Sequence, residues 1–173
     1  MPSREFKIPR NVKIDVEGKK VKASGEKGQI ERNFPVREIK IEKVDDKIVV
    51  SSESERKKVG AIIGSIISHI KNMATGVTRG YTYKLRVVFT HFPVTLKVEK
   101  DKVLIQNFLG ERSPRTVKIV GNIQVKVDGQ EITVSGVNKE EVGIMSSRLE
   151  QTTRIVGYDR RKFLDGIYIV ERE

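Results

Sequence analysis

The chain repeats itself, and this limits its fold more than any other feature. VKIDVEGKKVKASG (12–25) returns about 82 residues later as VTLKVEKDKVLIQNFLG (94–110), with Val12, Ile14 and Val16 matching Val94, Leu96 and Val98. IKIEKVDDKIVVSS (39–52) has its counterpart in IQVKVDGQEITVSG (123–136). There Ile39 and Ile41 match Ile123 and Val125, and turns at Asp45-Asp46 and Asp128-Gly129 lead into IVVS (48–51) and ITVS (132–135). VGAIIGSIISHI (59–70) then matches VGIMSSRLEQTT (142–153). The offset holds at about 82–84 residues through strands, turn and helix. Chance likeness of two β-rich halves explains that constancy less well than tandem duplication of a unit of about 85 residues.

Local signals agree within each copy. Period-two alternation predicts strands over 11–16, 20–24, 38–43 and 47–51, and again over 94–98, 102–106, 122–127 and 131–135. Asp128-Gly129 is a strong hairpin turn, because glycine accepts positive φ. One helix follows in each copy. The first is expected to start near Ser52, with Glu55 completing a capping box, and to end at Gly76. Its inward stripe is Val59, Ile62, Ile63, Ile66, Ile67, Ile70 and Met73. The second starts near Asn138 with Glu141 in the same relation, buries Val142, Met145, Leu149, Thr152 and Val156, and ends at Gly157. A last strand follows each helix, over 81–89 and 166–171; the first of these could close the first copy or bridge the two.

The expected fold class is therefore α+β: a tandem duplication of a small domain, each an antiparallel β-sheet covered by one α-helix. Pro93, which lacks an N–H and restricts the residue before it, marks the junction near FTHFP (89–93). The domains are set at 1–84 and 85–173.

Composition narrows the chemistry. The chain has 173 residues, 34 Lys+Arg against 23 Asp+Glu, and a formal charge of +11. That surplus points to a polyanionic partner: nucleic acid, an acidic membrane surface or an acidic protein. Cysteine is absent, which excludes disulfides, thiol nucleophiles and Cys-based metal sites. Only His69 and His91 are present, too few for a His-rich metal site. Trp is absent and aromatics are 6%, which weakens the case for a base-stacking single-strand binder. The longest apolar stretch, around 59–67, is broken by Gly64 and Ser65, so no membrane span is expected. The first ten residues lack the apolar region of a signal peptide. A soluble, intracellular, basic protein is the resulting expectation.

No catalytic constellation emerges. His91 falls in the expected linker and His69 beside the apolar helix stripe, and Asp45-Asp46 is a turn before it is an acid pair. Neither a Walker A sequence nor a G-x-G-x-x-G helix opening is present. The basic segments say more. NFLGERSPRTVKIVG (107–121) offers Arg112, Arg115 and Lys118 on a loop held open by Gly110, Ser113 and Pro114. RIVGYDRRKFLDG (154–166) offers Arg154, Arg160, Arg161 and Lys162 beside Tyr158, and three consecutive cations repel one another unless an anion lies nearby. GVTRGYTYKLR (76–86) interleaves Arg79, Lys84 and Arg86 with Tyr81 and Tyr83. Each could also be a solvated loop. None is a base-reading motif; phosphate-contacting loops on small rigid domains suit folded RNA.

Three segments, GVTRGYTYKLRVVFTHFP (76–93), FLGERSPRTV (108–117) and YDRRKFLDGIYI (158–169), make the chain resemble the large-subunit ribosomal protein L-six family, in its archaeal and eukaryotic branch. The resemblance covers essentially the whole chain. It implies a non-enzymatic structural protein of the large ribosomal subunit, cytoplasmic, with no cofactor. It further implies that the second domain is the main rRNA-binding unit and docks on 23S/28S-type rRNA in its 3′ region, near the sarcin–ricin loop. The implied partners are that rRNA and neighbouring large-subunit proteins, with translational GTPases nearby and neither membrane nor DNA. Carried over by segment, with basic neighbours added, the rRNA contacts are Arg112, Ser113, Arg115, Lys118, Arg154, Arg160, Arg161 and Lys162. Arg79, Thr82 and Lys84 form a second, outlying set. The competing function is an RNA-independent interaction module or assembly factor for acidic partners; a Mg²⁺ enzyme built on scattered carboxylates is the remotest. The charge itself is lopsided: residues 1–86 hold 20 Lys/Arg and 11 Asp/Glu, residues 87–173 hold 14 and 12. The surplus thus lies mostly outside the copy that the resemblance makes the rRNA dock.

Overall fold

The computed structural model describes residues 2–159 and 161–173. Arg160, one of the expected contacts, lies outside the described residues. The chain forms two units, the first ending at Gly80 and the second beginning at Tyr81.

In the first unit, β1 (Ser3–Lys7), β6 (Lys47–Ser51) and β5 (Lys40–Val44) form a sheet in the order β1-β6-β5. A second sheet runs β2 (Lys13–Glu17), β3 (Lys20–Gly25), β4 (Gly28–Asn33). The helix α1 (Lys57–Thr78) packs on β1, β3, β4 and β6. The second unit repeats this plan. β7 (Tyr81–Val88), β12 (Glu131–Gly136) and β11 (Gln124–Asp128) are ordered as β1, β6 and β5 are, while β8 (Thr95–Val98), β9 (Lys102–Gln106) and β10 (Arg115–Lys118) correspond to β2, β3 and β4. The helix α2 (Lys139–Thr152) lies against β7, β10 and β12 and against β13 (Gly166–Arg172), an added strand on the outer edge of β7. Every strand pair is antiparallel. The α+β class and the duplication are thus present in topology as well as in sequence, with two sheets per unit rather than one.

Topology also reassigns one strand. Residues 81–88 open the second copy as the counterpart of β1; they neither close the first copy nor bridge the two. Their alternation marks a strand but cannot show which sheet it joins. The division accordingly falls at Gly80/Tyr81, four residues before the expected 84/85, and FTHFP is a loop inside the second unit, between β7 and β8. β1, β4 and β10 are additions to the expected strands. β10 occupies part of a segment expected to be an open loop, because Ser113 and Pro114 mask the short RTVK alternation.

Each core gathers the inward positions of its sheets and helix. Ile14, Val21, Ala23, Ile48 and Val50 meet Ile63, Ile66 and Ile70 in the first unit, and all are buried. Leu85, Val103, Ile105, Phe108, Ile132, Val134, Met145 and Leu149 do the same in the second. Each such side chain contributes roughly 1.5–3 kcal/mol when removed from water. Two members of the first expected stripe sit at its margin: Ile62 is exposed and Ile67 half-buried. α1 starts at Lys57 rather than Ser52, because Ser52 is buried and otherwise engaged. Its Oγ donates to the Glu38 carbonyl at 2.6 Å and accepts from the Ser54 N–H at 3.2 Å. Nor does Gly76 end α1; Gly80, at φ +77°, follows the helix and donates to the Gly76 carbonyl at 3.0 Å. Asn138 caps α2 as expected, its side chain accepting from the Glu140 N–H at 3.0 Å. α2 ends five residues before Gly157, however, and Val156 is exposed instead of buried.

One close approach requires glycine. A Cβ at Gly25 would lie 2.7 Å from the backbone carbonyl oxygen of Val77 in α1, and that carbonyl is already held by the Lys27 N–H at 2.9 Å. Backbone cannot yield as a side chain would. Gly25→Ala is therefore expected to destabilise the first unit by about 1–3 kcal/mol, read as a lower midpoint in urea. An unchanged midpoint would show that α1 shifts freely on β3.

Candidate nucleic-acid interface

Three loops of the second unit meet at one end. They are the β7–β8 loop (89–94), the β9–β10 loop (107–114) and the segment from α2 to β13 (153–165). An aromatic contact joins the first to the third: the Phe163 ring lies 5.8 Å from His91, and within its own segment it packs 5.0 Å from Tyr158. Asn107 Nδ2 donates to the Pro93 carbonyl at 3.0 Å. Gly110, at φ +74°, is overlain by Phe92, whose ring would be 3.3 Å from a Cβ there. The β9–β10 loop is strained as well as anchored, since Asn107 and Leu109 both have positive φ. A left-handed non-glycine residue costs of order 1–3 kcal/mol and persists only where its surroundings over-determine it.

Arg115 is the joint between the two basic segments. Its Nε and Nη2 donate to the Glu111 carboxylate at 2.9 and 2.5 Å. Its Nη1 donates to the Thr152 carbonyl at 2.6 Å, at the end of α2, and more weakly to that of Arg154 at 3.4 Å. The guanidinium also stacks over the buried Phe108 ring, 4.4 Å from its centroid. Its donors are thus spent inside the protein, and Arg115 acts as a clamp rather than as an open cation. The Arg115 hydrogen bond holds the Glu111 carboxyl below its ordinary value of 4.5. A depressed carboxylate contributes stability that is present above its unfolded value and lost as pH falls through the folded one, so this joint is intact at neutral pH and loosens in acid.

The clamp ties the loop that carries Arg112 and Ser113 to the segment that carries Arg154, and all three residues are exposed. Asp159 shapes the rest. Its side chain accepts from the Arg161 N–H at 2.9 Å and its carbonyl accepts from Lys162 and Phe163 at 3.0 Å. This turn sets Arg161 and Lys162 on the surface while Phe163 faces inward. Arg112, Arg154, Arg161 and Lys162 have no ion-pair partner among the described residues.

Other expected contacts stand apart. Lys118 is at the far end of β10, roughly 10 Å of strand from Arg115, in register with Lys102. Thr82 and Lys84 lie toward the opposite end of β7 from the loops, since Gly166, where the 153–165 segment enters β13, pairs with Val88. Lys84 is paired with Glu171 at 2.6 Å, which raises its pKa. Arg79 is exposed just beyond α1 in the first unit. Glu111, Asp159 and Thr153 join the site without having been singled out by sequence. Glu111, four residues before Arg115, is a visible pairing signal; the buried Thr153, whose Oγ accepts from the Ile167 N–H at 2.9 Å, leaves none.

Exposed cations on loops that are tied to one another, carried on a duplicated α+β fold, are the arrangement that contact with phosphates of a folded RNA would call for. The family model described as Ribosomal protein L6 matches residues 8–80 and 92–166, one match per unit. The chain belongs to the ribosomal protein L6 family. It is 46% identical over 169 residues to the large ribosomal subunit protein uL6 of Methanobrevibacter smithii, covering 98% of this chain and 95% of that protein. It is 46% identical over 173 residues to the uL6 protein of Desulfurococcus amylolyticus, covering 98% and 94%. It is 45% identical over 170 residues to that of Sulfurisphaera tokodaii, covering 98% and 91%.

Proposed function

We propose that this chain is a structural constituent of the large ribosomal subunit that binds large-subunit rRNA and supports translation in the cytoplasm. The observation that carries the reading is that Arg112, Ser113, Arg154, Arg161 and Lys162 stand exposed on loops tied to one another, in a member of this family. Arg160 belongs to the same segment. Arg115 serves by holding the loops together, and Lys118, with Arg79, Thr82 and Lys84, makes outlying contacts. The open cations stand on loops rather than on a groove-reading helix, which favours folded RNA over duplex DNA. Neighbouring large-subunit proteins complete the setting. The finer placement, on the 3′ region of the rRNA near the sarcin–ricin loop where translational GTPases arrive, follows the same reading.

The protein is not an enzyme; its family is a structural component of the ribosome. Binding of acidic proteins without RNA is not favoured. The chain should cosediment with large subunits at moderate salt and be released as salt rises, because phosphate contacts are lost to counterions. If it instead sediments with a partner that survives nuclease digestion of the RNA, the rRNA reading fails.

A further inference from the structure

The sheets β2-β3-β4 and β8-β9-β10 are copies of one another, so their outward faces can be compared position by position. In the first, Asp15, Lys22 and Glu31 stand opposite one another across the three strands. Glu17 and Lys20 face each other in the next row, and Lys20 also pairs with Glu31 at 2.9 Å. With Lys13, this exposed face holds three cations and three acids. Opposite charges set across strands are what a solvated sheet face favours.

The second copy has lost that balance. The registers align Val16, Val21 and Arg32 with Val98, Val103 and Val117. Lys97, Leu104 and Thr116 therefore replace Asp15, Lys22 and Glu31, while Lys118 replaces Asn33. Three cations remain against one acid, Glu99, which pairs with Lys102 at 3.2 Å. Lys97 and Lys118 are exposed and have no ion-pair partner among the described residues. Lys118 stands directly opposite Lys102, and like charges so placed are destabilising until an anion lies between them. Thr95, Gln106 and Thr116 are exposed on the same face and add uncharged donors and acceptors of the kind that meet phosphate and 2′-hydroxyl oxygens. The face also begins where the basic loops end: Thr95 follows the β7–β8 loop, and Gln106 leads into the β9–β10 loop that carries Arg112. An acidic protein would match the charge, but protein interfaces are centred on aromatic and apolar anchors. The outward positions here hold no aromatic residue and one aliphatic side chain, the half-buried Leu104.

We infer that the outward face of β8-β9-β10 is a second rRNA-contacting surface, on which Lys97 and Lys118 meet phosphates. The inference rests on the rRNA reading and extends it from the loops onto the sheet. The test uses the full chain and deproteinised large-subunit rRNA. Lys97→Gln with Lys118→Asn should lower affinity roughly tenfold at moderate salt and reduce the slope of log affinity against log salt by about 2. The Tm should hold, because neither lysine has an ion-pair partner to lose among the described residues. Lys71→Gln with Lys126→Gln, an equal loss of charge at exposed positions on α1 and β11, should keep the slope. The chain has no cysteine, so Thr116→Cys can carry a single iron–EDTA group, and hydroxyl radicals from it should cleave the bound rRNA at a defined place. That readout stands even where the double variant loses stability. An unchanged slope in the folded Lys97/Lys118 variant, an equal fall in the control, or no cleavage from position 116 would each overturn the inference and leave the loops as the rRNA contact. So would normal rRNA binding by the double variant together with loss of an acidic large-subunit protein. Failure of the wild-type chain to bind the rRNA at all would remove both readings.

Discussion

Replacing Arg112, Arg154, Arg161 and Lys162 together by alanine should weaken rRNA binding by roughly a hundredfold or more at moderate salt. The slope of log affinity against log salt should also shrink by about 3 to 4, near one unit per phosphate contact removed. These four side chains are exposed and unpaired among the described residues. Their loss removes no internal bond, and the Tm of the free protein should stay within the small range of ordinary surface substitutions. Filter binding across a salt series, with a thermal melt of the same variant, gives both readings. An unchanged slope would mean that these cations face solvent in the bound state. Charge alone points elsewhere, because the first unit is the more basic, +7 over residues 1–80 against +4 over residues 81–173. The experiment therefore separates local geometry from net charge as the guide to a binding surface.

Arg115→Ala should do the reverse: a large loss of stability, with rRNA binding lost only as a consequence. The substitution leaves the Thr152 carbonyl and the Glu111 carboxylate without their donor and uncovers the Phe108 ring. Hydrogen bonds to charged groups and a desolvated cation–π contact place the cost at about 2–4 kcal/mol. For a unit of this size that is a fall in Tm of about 10–25 °C. Arg115→Lys should recover little, because an ammonium cannot reach a carboxylate, a carbonyl and a ring face at once as a planar fork does. If calorimetry finds the Tm unchanged while rRNA binding drops, Arg115 belongs with the phosphate-contacting cations after all.

Most of the architecture is legible in the repeat alone. The hairpins 13–25, 40–51, 95–106 and 124–136 appear where alternation and turn residues put them, because those strands bury one face and expose the other. β1, β4 and β10 are harder to see. SREFK and GQIERN have scarcely any buried residues, so little alternation is imposed on them. Helix boundaries depart from expectation where a side chain has a better use. Ser52 looks like a cap but bonds across to Glu38, and that partner is fourteen residues away. The candidate site is legible as charge and opaque as roles. Arg112 and Arg115 look alike in ERSPR, yet one is open and the other is locked. The difference comes from the carbonyl of Thr152, which only the packing of α2 on β10 brings near.

The extra strand of the second unit has a consequence for the order in which the protein forms. All the pairing partners of the first unit lie within residues 3–51, with its helix complete by residue 78. That unit has everything it needs while the rest of the chain is still being synthesised. The second unit begins its sheet with β7 and completes it only with β13, which joins residues 81–88 to residues 166–172. Closing so long a loop is slow, and until it closes the outer edge of β7 stays bare. The 153–165 segment that carries Arg154, Arg161 and Lys162 is strung between α2 and β13. The duplication therefore produced two units with different schedules: one that can finish early, and one whose binding surface is assembled last.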